Sequence, residues 1–148
     1  MGSFTIGGKS YIKVKVFFSR DERIMVSLEK GELIERLFGV AAGYLEKGDA
    51  VQSSEKLYKV AEECVKALAE RFNLFEVKEA EEKGRWTVTL LEKAVGKLAD
   101  KLGMEVEVGW VEANYLHIWG FHEVKLDAED VKRRVPMIRR LTELTQKA

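Results

Sequence analysis

The spacing of hydrophobic positions changes period near Leu28, and that change divides the chain in two. Upstream, Ile12, Val14, Val16 and Phe18 alternate with Tyr11, Lys13, Lys15 and Phe17, the two-residue period of a strand. Residues 23–27 are the expected partner strand, with residues 19–22 as a four-residue turn, and Gly7-Gly8 marks another reversal after a short strand at residues 4–6. The expectation over 1–27 is therefore a β-hairpin or meander. A hairpin is marginal alone, so such an arm must pack on the helices or on a second subunit.

From Leu28 onward the period is helical. Leu33, Leu37, Val40 and Tyr44 form one stripe, with Ile34, Phe38, Ala41 and Leu45 beside it, and this predicts a first helix that ends at Gly48. Asp49, with Gln52 three residues on, predicts the cap of a second helix running to about Phe72 and burying Ala50, Ser54, Leu57, Ala61, Cys64, Val65 and Leu68. The opposite face carries Glu55, Lys59, Glu62 and Lys66 at pairing distance, which describes a solvated surface. A charged connector over residues 73–84 precedes a third helix marked by Trp86, Leu90, Leu91, Ala94, Val95, Leu98 and Leu102, with Gly103 as its stop.

A fourth helix is predicted over residues 105–118, with Val106, Trp110, Ala113 and His117 on one stripe. Gly120 breaks it and leaves Phe121, His122 and Glu123 in a turn. A fifth helix starts at Asp127 as cap with Asp130 three residues later, buries Val131, Val135, Ile138, Leu141 and Thr142, and is bent at Pro136. The fold class read from the pattern is mainly α: an up-and-down bundle of about five helices over 28–148, behind a short N-terminal strand arm.

Composition narrows the function classes. The 25 basic and 25 acidic residues cancel, so only a local patch offers an electrostatic reason to hold nucleic acid or an anionic membrane. The sequence has no apolar run of membrane-spanning length and no basic-then-apolar leader, so a cytoplasmic protein without membrane contact is expected. Cys64 is the lone cysteine, which excludes an intrachain disulfide framework and a multi-cysteine zinc site, and its helical apolar setting predicts inert packing. Charged residues at 34% beside only four Asn and Gln resemble a thermophile composition with surface ion-pair networks.

Candidate chemistry concentrates in Tyr-Leu-His-Ile-Trp-Gly-Phe-His-Glu, residues 115–123, which holds both histidines. Five apart on an α-helix, His117 and His122 would stand roughly 140° from one another, so only a break at Gly120 brings them together. The spacing matches no metal motif, and no metal or other cofactor is expected. As an acid–base group His117 would need an orienting partner such as Glu112, with His122 or Glu123 assisting; a core histidine satisfied by a hydrogen bond is at least as good a description. The best basic patch is Lys132, Arg133, Arg139 and Arg140, an arc of about 120° that suits phosphates of RNA or a nucleotide unless the abundant acids pair with it. Gly7-Gly8-Lys9-Ser10 ends like a phosphate-binding loop but lacks the first glycine at the right spacing.

The run Gly48-Asp49-Ala50-Val51-Gln52-Ser53-Ser54-Glu55-Lys56-Leu57-Tyr58-Lys59, its continuation to Ala69, the segment Leu116-His117-Ile118-Trp119-Gly120-Phe121-His122-Glu123 and residues 127–134 resemble the archaeal PaREP family. The likeness covers Leu28 to the C-terminus. It implies an all-helical domain similar to HEPN domains, up-and-down bundles that often dimerise and that include RNA-cleaving toxins and partners of minimal nucleotidyltransferases. The HEPN ribonuclease motif, an Arg four to six residues before a His, is absent: Val111, Glu112 and Ala113 precede His117, and Leu116, His117 and Ile118 precede His122. A carboxylate at 112 repels phosphate. The expected function is thus a non-catalytic, homodimeric binding module for a nucleotide, RNA or a nucleotidyltransferase partner; the competing expectation is a divergent ribonuclease or nucleotide-processing enzyme that uses His117.

Overall fold

The structure, a computed structural model, describes residues 2–6, 9–13 and 19–147. Among these are seven α-helices and one π-helical segment, packed around one of the seven. They are α1 (Arg20–Glu46), α2 (Ala50–Arg71), α3 (Phe75–Lys83), α4 (Val88–Leu102), α5 (Glu105–Tyr115), the π-helix Leu116–His122, α6 (Ala128–Lys132) and α7 (Val135–Lys147). The mainly helical bundle expected from the periodicity is what the chain forms.

The centre is α2, which packs against α1, α4, α5, α7 and the π-helix. It can do so because its apolar side chains cover about half of its circumference: Leu57, Val60, Ala61, Cys64, Val65, Leu68 and Ala69 are all buried. Every residue expected to be buried on the second helix is buried. Asp49 starts α2, its Oδ1 accepting from Gln52 N at 2.9 Å, and Gly48 turns the preceding chain with φ +77°. On the exposed face Lys66 meets Glu62 and Glu63 at 3.6 Å each.

The expectations for the N-terminal segment and the first helix are corrected. The partner strand at residues 23–27 is not formed, because these residues lie within α1. Ser19 caps that helix in a reciprocal capping box with Glu22, each side chain accepting from the other's backbone N–H at 3.1 Å, so the segment read as a hairpin turn is a helix start. The N-terminal hairpin as read is therefore not supported; the backbone ladder that is described pairs β1 (Gly2–Ile6) with β2 (Lys9–Lys13), and the alternating positions 14–18 lie outside the described residues. On α1 the stripe of Ile34 and Ala41 is buried, whereas Leu33 and Val40 are exposed.

The charged connector contains α3, which ends at Gly84 in the left-handed region (φ +76°). The fifth helix is two helices, α6 and α7, with Arg133 and Arg134 between them. Pro136 has no N–H to give and clashes with the carbonyl four residues back, so it is accommodated in the first turn of α7, where neither matters. The fourth helix continues past its expected end, but as a π-helix.

Candidate functional site

The π-helix changes the relation between the two histidines. Its wider turn bonds residue i to i+5, and Glu123 N donates to Ile118 O at 2.8 Å in that pattern. Residues five apart therefore come onto one face, where an α-helix would separate them. His117 Nε2 lies 3.2 Å from His122 Nε2, with the rings nearly perpendicular at 81°.

Packing holds the segment in place. Leu116 and Gly120 are buried, and Gly120 is pressed against α2 so closely that a Cβ there would stand 2.6 Å from Ser54 Cβ and closer still to its Oγ. Only glycine fits. On α2, Tyr58 stacks on the His117 ring with centroids 4.0 Å apart, and Phe121 meets His122 edge-on at 5.0 Å. The expected partner Glu112 does not orient His117; its Oε2 accepts from Arg134 Nη1 at 2.7 Å instead. His117 Nδ1 is buried and makes no hydrogen bond among the described residues.

Burial, followed by the neighbouring His122, holds His117 below the usual imidazole range; Glu55 and Glu62 pull it upward without reversing this, and Lys59 adds the smallest push down. The ring is thus neutral near pH 7. A direct contact between the two Nε2 atoms needs one of them to donate and the other to accept. His122 and Glu123 are exposed. Val124 takes φ +52°, an uncommon value for a β-branched residue, where the chain leaves the π-helix.

The basic arc is not assembled as a site. Arg139 Nη1 reaches both carboxylate oxygens of Glu35 on α1 at 2.9 Å and lies 4.7 Å over the Phe38 ring, whereas Arg140 turns the other way to Glu105 on α5 (2.8 Å) and to Glu143 (2.7 Å). Lys132 pairs with Glu129 at 3.0 Å. Of the four, Arg133 alone has no ion pair among the described residues. The local patch is thus largely neutralised by acids.

Sequence reasoning missed Tyr58, Ser54 and Arg134 as neighbours of the histidine segment. Nothing in the sequence ties Tyr58 or Ser54 to residues about sixty positions later. Arg134, 3.9 Å over the Tyr115 ring, belongs to the same basic run as Arg133 but falls on its inner side.

No curated protein sequence matches the chain. Among solved structures, it is similar to the crystal structure of a protein from Sulfolobus solfataricus, with 36% identity and a TM-score of 0.71 over 76% of this chain and 92% of that one. The solution structure of the Orf c02003 protein, the same structural-genomics target, is 37% identical with a TM-score of 0.67 over 76% of this chain and 87% of that one. The model of the archaeal PaREP1/PaREP8 family matches residues 29–142, which span every helix from most of α1 to the middle of α7, and the chain belongs to that family.

Proposed function

We propose that the chain is a non-catalytic, HEPN-like interaction module that works as a homodimer. The observation that carries this reading is a row of exposed apolar side chains along α5 and into the π-helix: Met104, Val108, Val111, Tyr115 and Ile118, with Trp119 beside it. Their spacings of four, three, four and three are those of a helix seam, and Val111 at the middle is 55% exposed.

The edges of the row suit a second copy. At 100° per residue Glu107 and Asn114 share one edge, so an antiparallel two-fold pairing centred near Val111 sets Glu107 of one copy beside Asn114 of the other. The opposite edge carries Glu105 and Glu112, whose charges Arg140 and Arg134 already neutralise. The HEPN-like character is supported by α1 and α2, long helices joined by three residues and packed on one another.

A phosphate contact through Lys132, Arg133, Arg139 and Arg140 would have to displace Glu35, Glu105, Glu129 and Glu143 from their ion pairs. Phosphate binding is therefore secondary here. The competing reading, an enzyme with His117 as acid–base group and His122 or Glu123 assisting, fits less well. His117 Nε2 is engaged by His122, Nδ1 is buried, and a 3.2 Å gap leaves no room for a phosphodiester between two imidazoles.

Light scattering on the size-excluded protein tests the dimer. The wild type elutes as a dimer, and Val111→Glu, which brings two carboxylates together at the two-fold axis, weakens association by roughly 100-fold or more without changing the helical circular dichroism spectrum. A wild type that stays monomeric at high micromolar concentration overturns the reading.

A further inference from the structure

We propose that His117 and His122 form a two-imidazole binding site for a divalent transition metal of the imidazole-preferring kind, Zn(II), Ni(II) or Cu(II). With metal–nitrogen bonds of about 2.0–2.1 Å, two nitrogens on one ion stand about 3 Å apart when the angle at the metal is near 100°, between the tetrahedral and square arrangements. The observed Nε2···Nε2 separation is 3.2 Å. The two Nε2 atoms are thus already spaced to share an ion.

The backbone is pre-organised for this. The π-helix puts residues 117 and 122 on one face, the seat of Gly120 on Ser54 fixes that segment against α2, and Tyr58 and Phe121 set the planes of the two rings. With the ion bound, each ring carries its proton on Nδ1 and offers its Nε2 lone pair to the metal.

The site is open and of modest affinity. No third His, Cys, Asp or Glu joins the pair in a metal-binding group among the described residues. Glu112 is held by Arg134, and Asp127 accepts from Asp130 N at 2.9 Å as a helix cap. Water or an exogenous ligand fills the remaining positions. His117 Nδ1 also lacks the hydrogen-bond acceptor that usually buttresses a ligating imidazole, which favours an exchangeable ion over a structural one.

The test is titration of the full chain with zinc chloride, followed by calorimetry and by the imidazole NMR signals, which are simple to read because the sequence contains two histidines. Both rings should respond together to one equivalent of Zn(II). His122→Gln, an exposed substitution that leaves the fold intact, should weaken binding by more than about ten-fold and abolish the zinc-dependent rise in Tm. Response of one ring only, unchanged affinity in His122→Gln, or no binding at millimolar zinc overturns the proposal. These outcomes are independent of oligomeric state, because Val111→Glu leaves both ligands in place.

Discussion

At Gly120 the site depends on the absence of a single atom. A Cβ at this position meets Ser54, so Gly120→Ala is expected to cost at least about 1–3 kcal/mol, the usual cost of overpacking, and to disturb the π-helix that aligns the histidines. Ser54→Gly removes both atoms in the way, and its Oγ forms no hydrogen bond among the described residues, so the double variant should recover part of the loss. Thermal unfolding of the two single variants and the double variant measures the coupling; strictly additive losses would contradict the contact. A second residue-scale prediction concerns Glu76, 3% exposed, which accepts from Lys97 Nζ at 2.9 and 2.8 Å. Burial works against its charge, but the Lys97 hydrogen bonds, its own backbone N–H and the charges of Lys97 and Lys93 outweigh it and hold the carboxyl below its ordinary range. A lowered carboxylate stabilises the fold above the unfolded value of about 4.3, and the contribution fades as pH falls through the folded value. Glu76→Gln should therefore lower stability near pH 7 by about 1–3 kcal/mol and flatten the acid limb. Parallel pH–stability curves for variant and wild type would contradict it. At this scale Cys64 was legible as packed core, since its apolar helical neighbours predict its burial. The meeting of His117 with His122 was not, because the estimate of their separation used the α-helical turn.

Helices were legible where caps and stripes agreed. Asp127 and Asp130 exchange both capping bonds, at 2.9 and 3.0 Å, as their spacing predicts. Removing that cap in Asp127→Ala should cost about 1 kcal/mol, read from denaturant midpoints at constant slope; an unchanged midpoint would mean that packing of Val131 alone holds α6. The start of α1 was misread although the signal was present. Ser19 with Glu22 three residues on is a capping-box pattern, but the alternation just upstream favoured a hairpin. For α3 the signal was thin: Leu74 provides no side-chain cap and the helix buries only Glu76 and Ala80, so its charge read as a connector. Gly84 as a C-terminal stop was the available clue. Pro136 was expected to bend one helix, and the chain splits there because proline is tolerated in a first turn and not in an interior one.

For the whole molecule, the balance of 25 basic and 25 acidic residues is matched by ion pairs between elements: α1 with α2 (Lys30–Glu70), α1 with α7 (Glu35–Arg139), α3 with α4 (Glu76–Lys97) and α5 with α7 (Glu105–Arg140). These pairs remove most of the basic arc from view. None of the helices is long and apolar enough to cross a membrane among the described residues. The exposed apolar row of α5 is then an unbalanced surface of the bundle, and sequence alone could not reveal it, because periodicity reports an apolar face without saying whether the chain itself covers it. The most direct measurement is oxidative cross-linking of Val111→Cys in dilute solution, with Glu129→Cys as an exposed control. Cys64 does not interfere, since burial first, then the charges of Glu63 and Glu35, push its thiol far up and out of reactive range. The account predicts rapid formation of a disulfide-linked dimer by Val111→Cys, because a residue on the two-fold axis meets its own copy, and slow or no linking by the control. A Val111→Cys protein that stays monomeric under oxidation, or links no faster than Glu129→Cys, would contradict a homodimer built on α5.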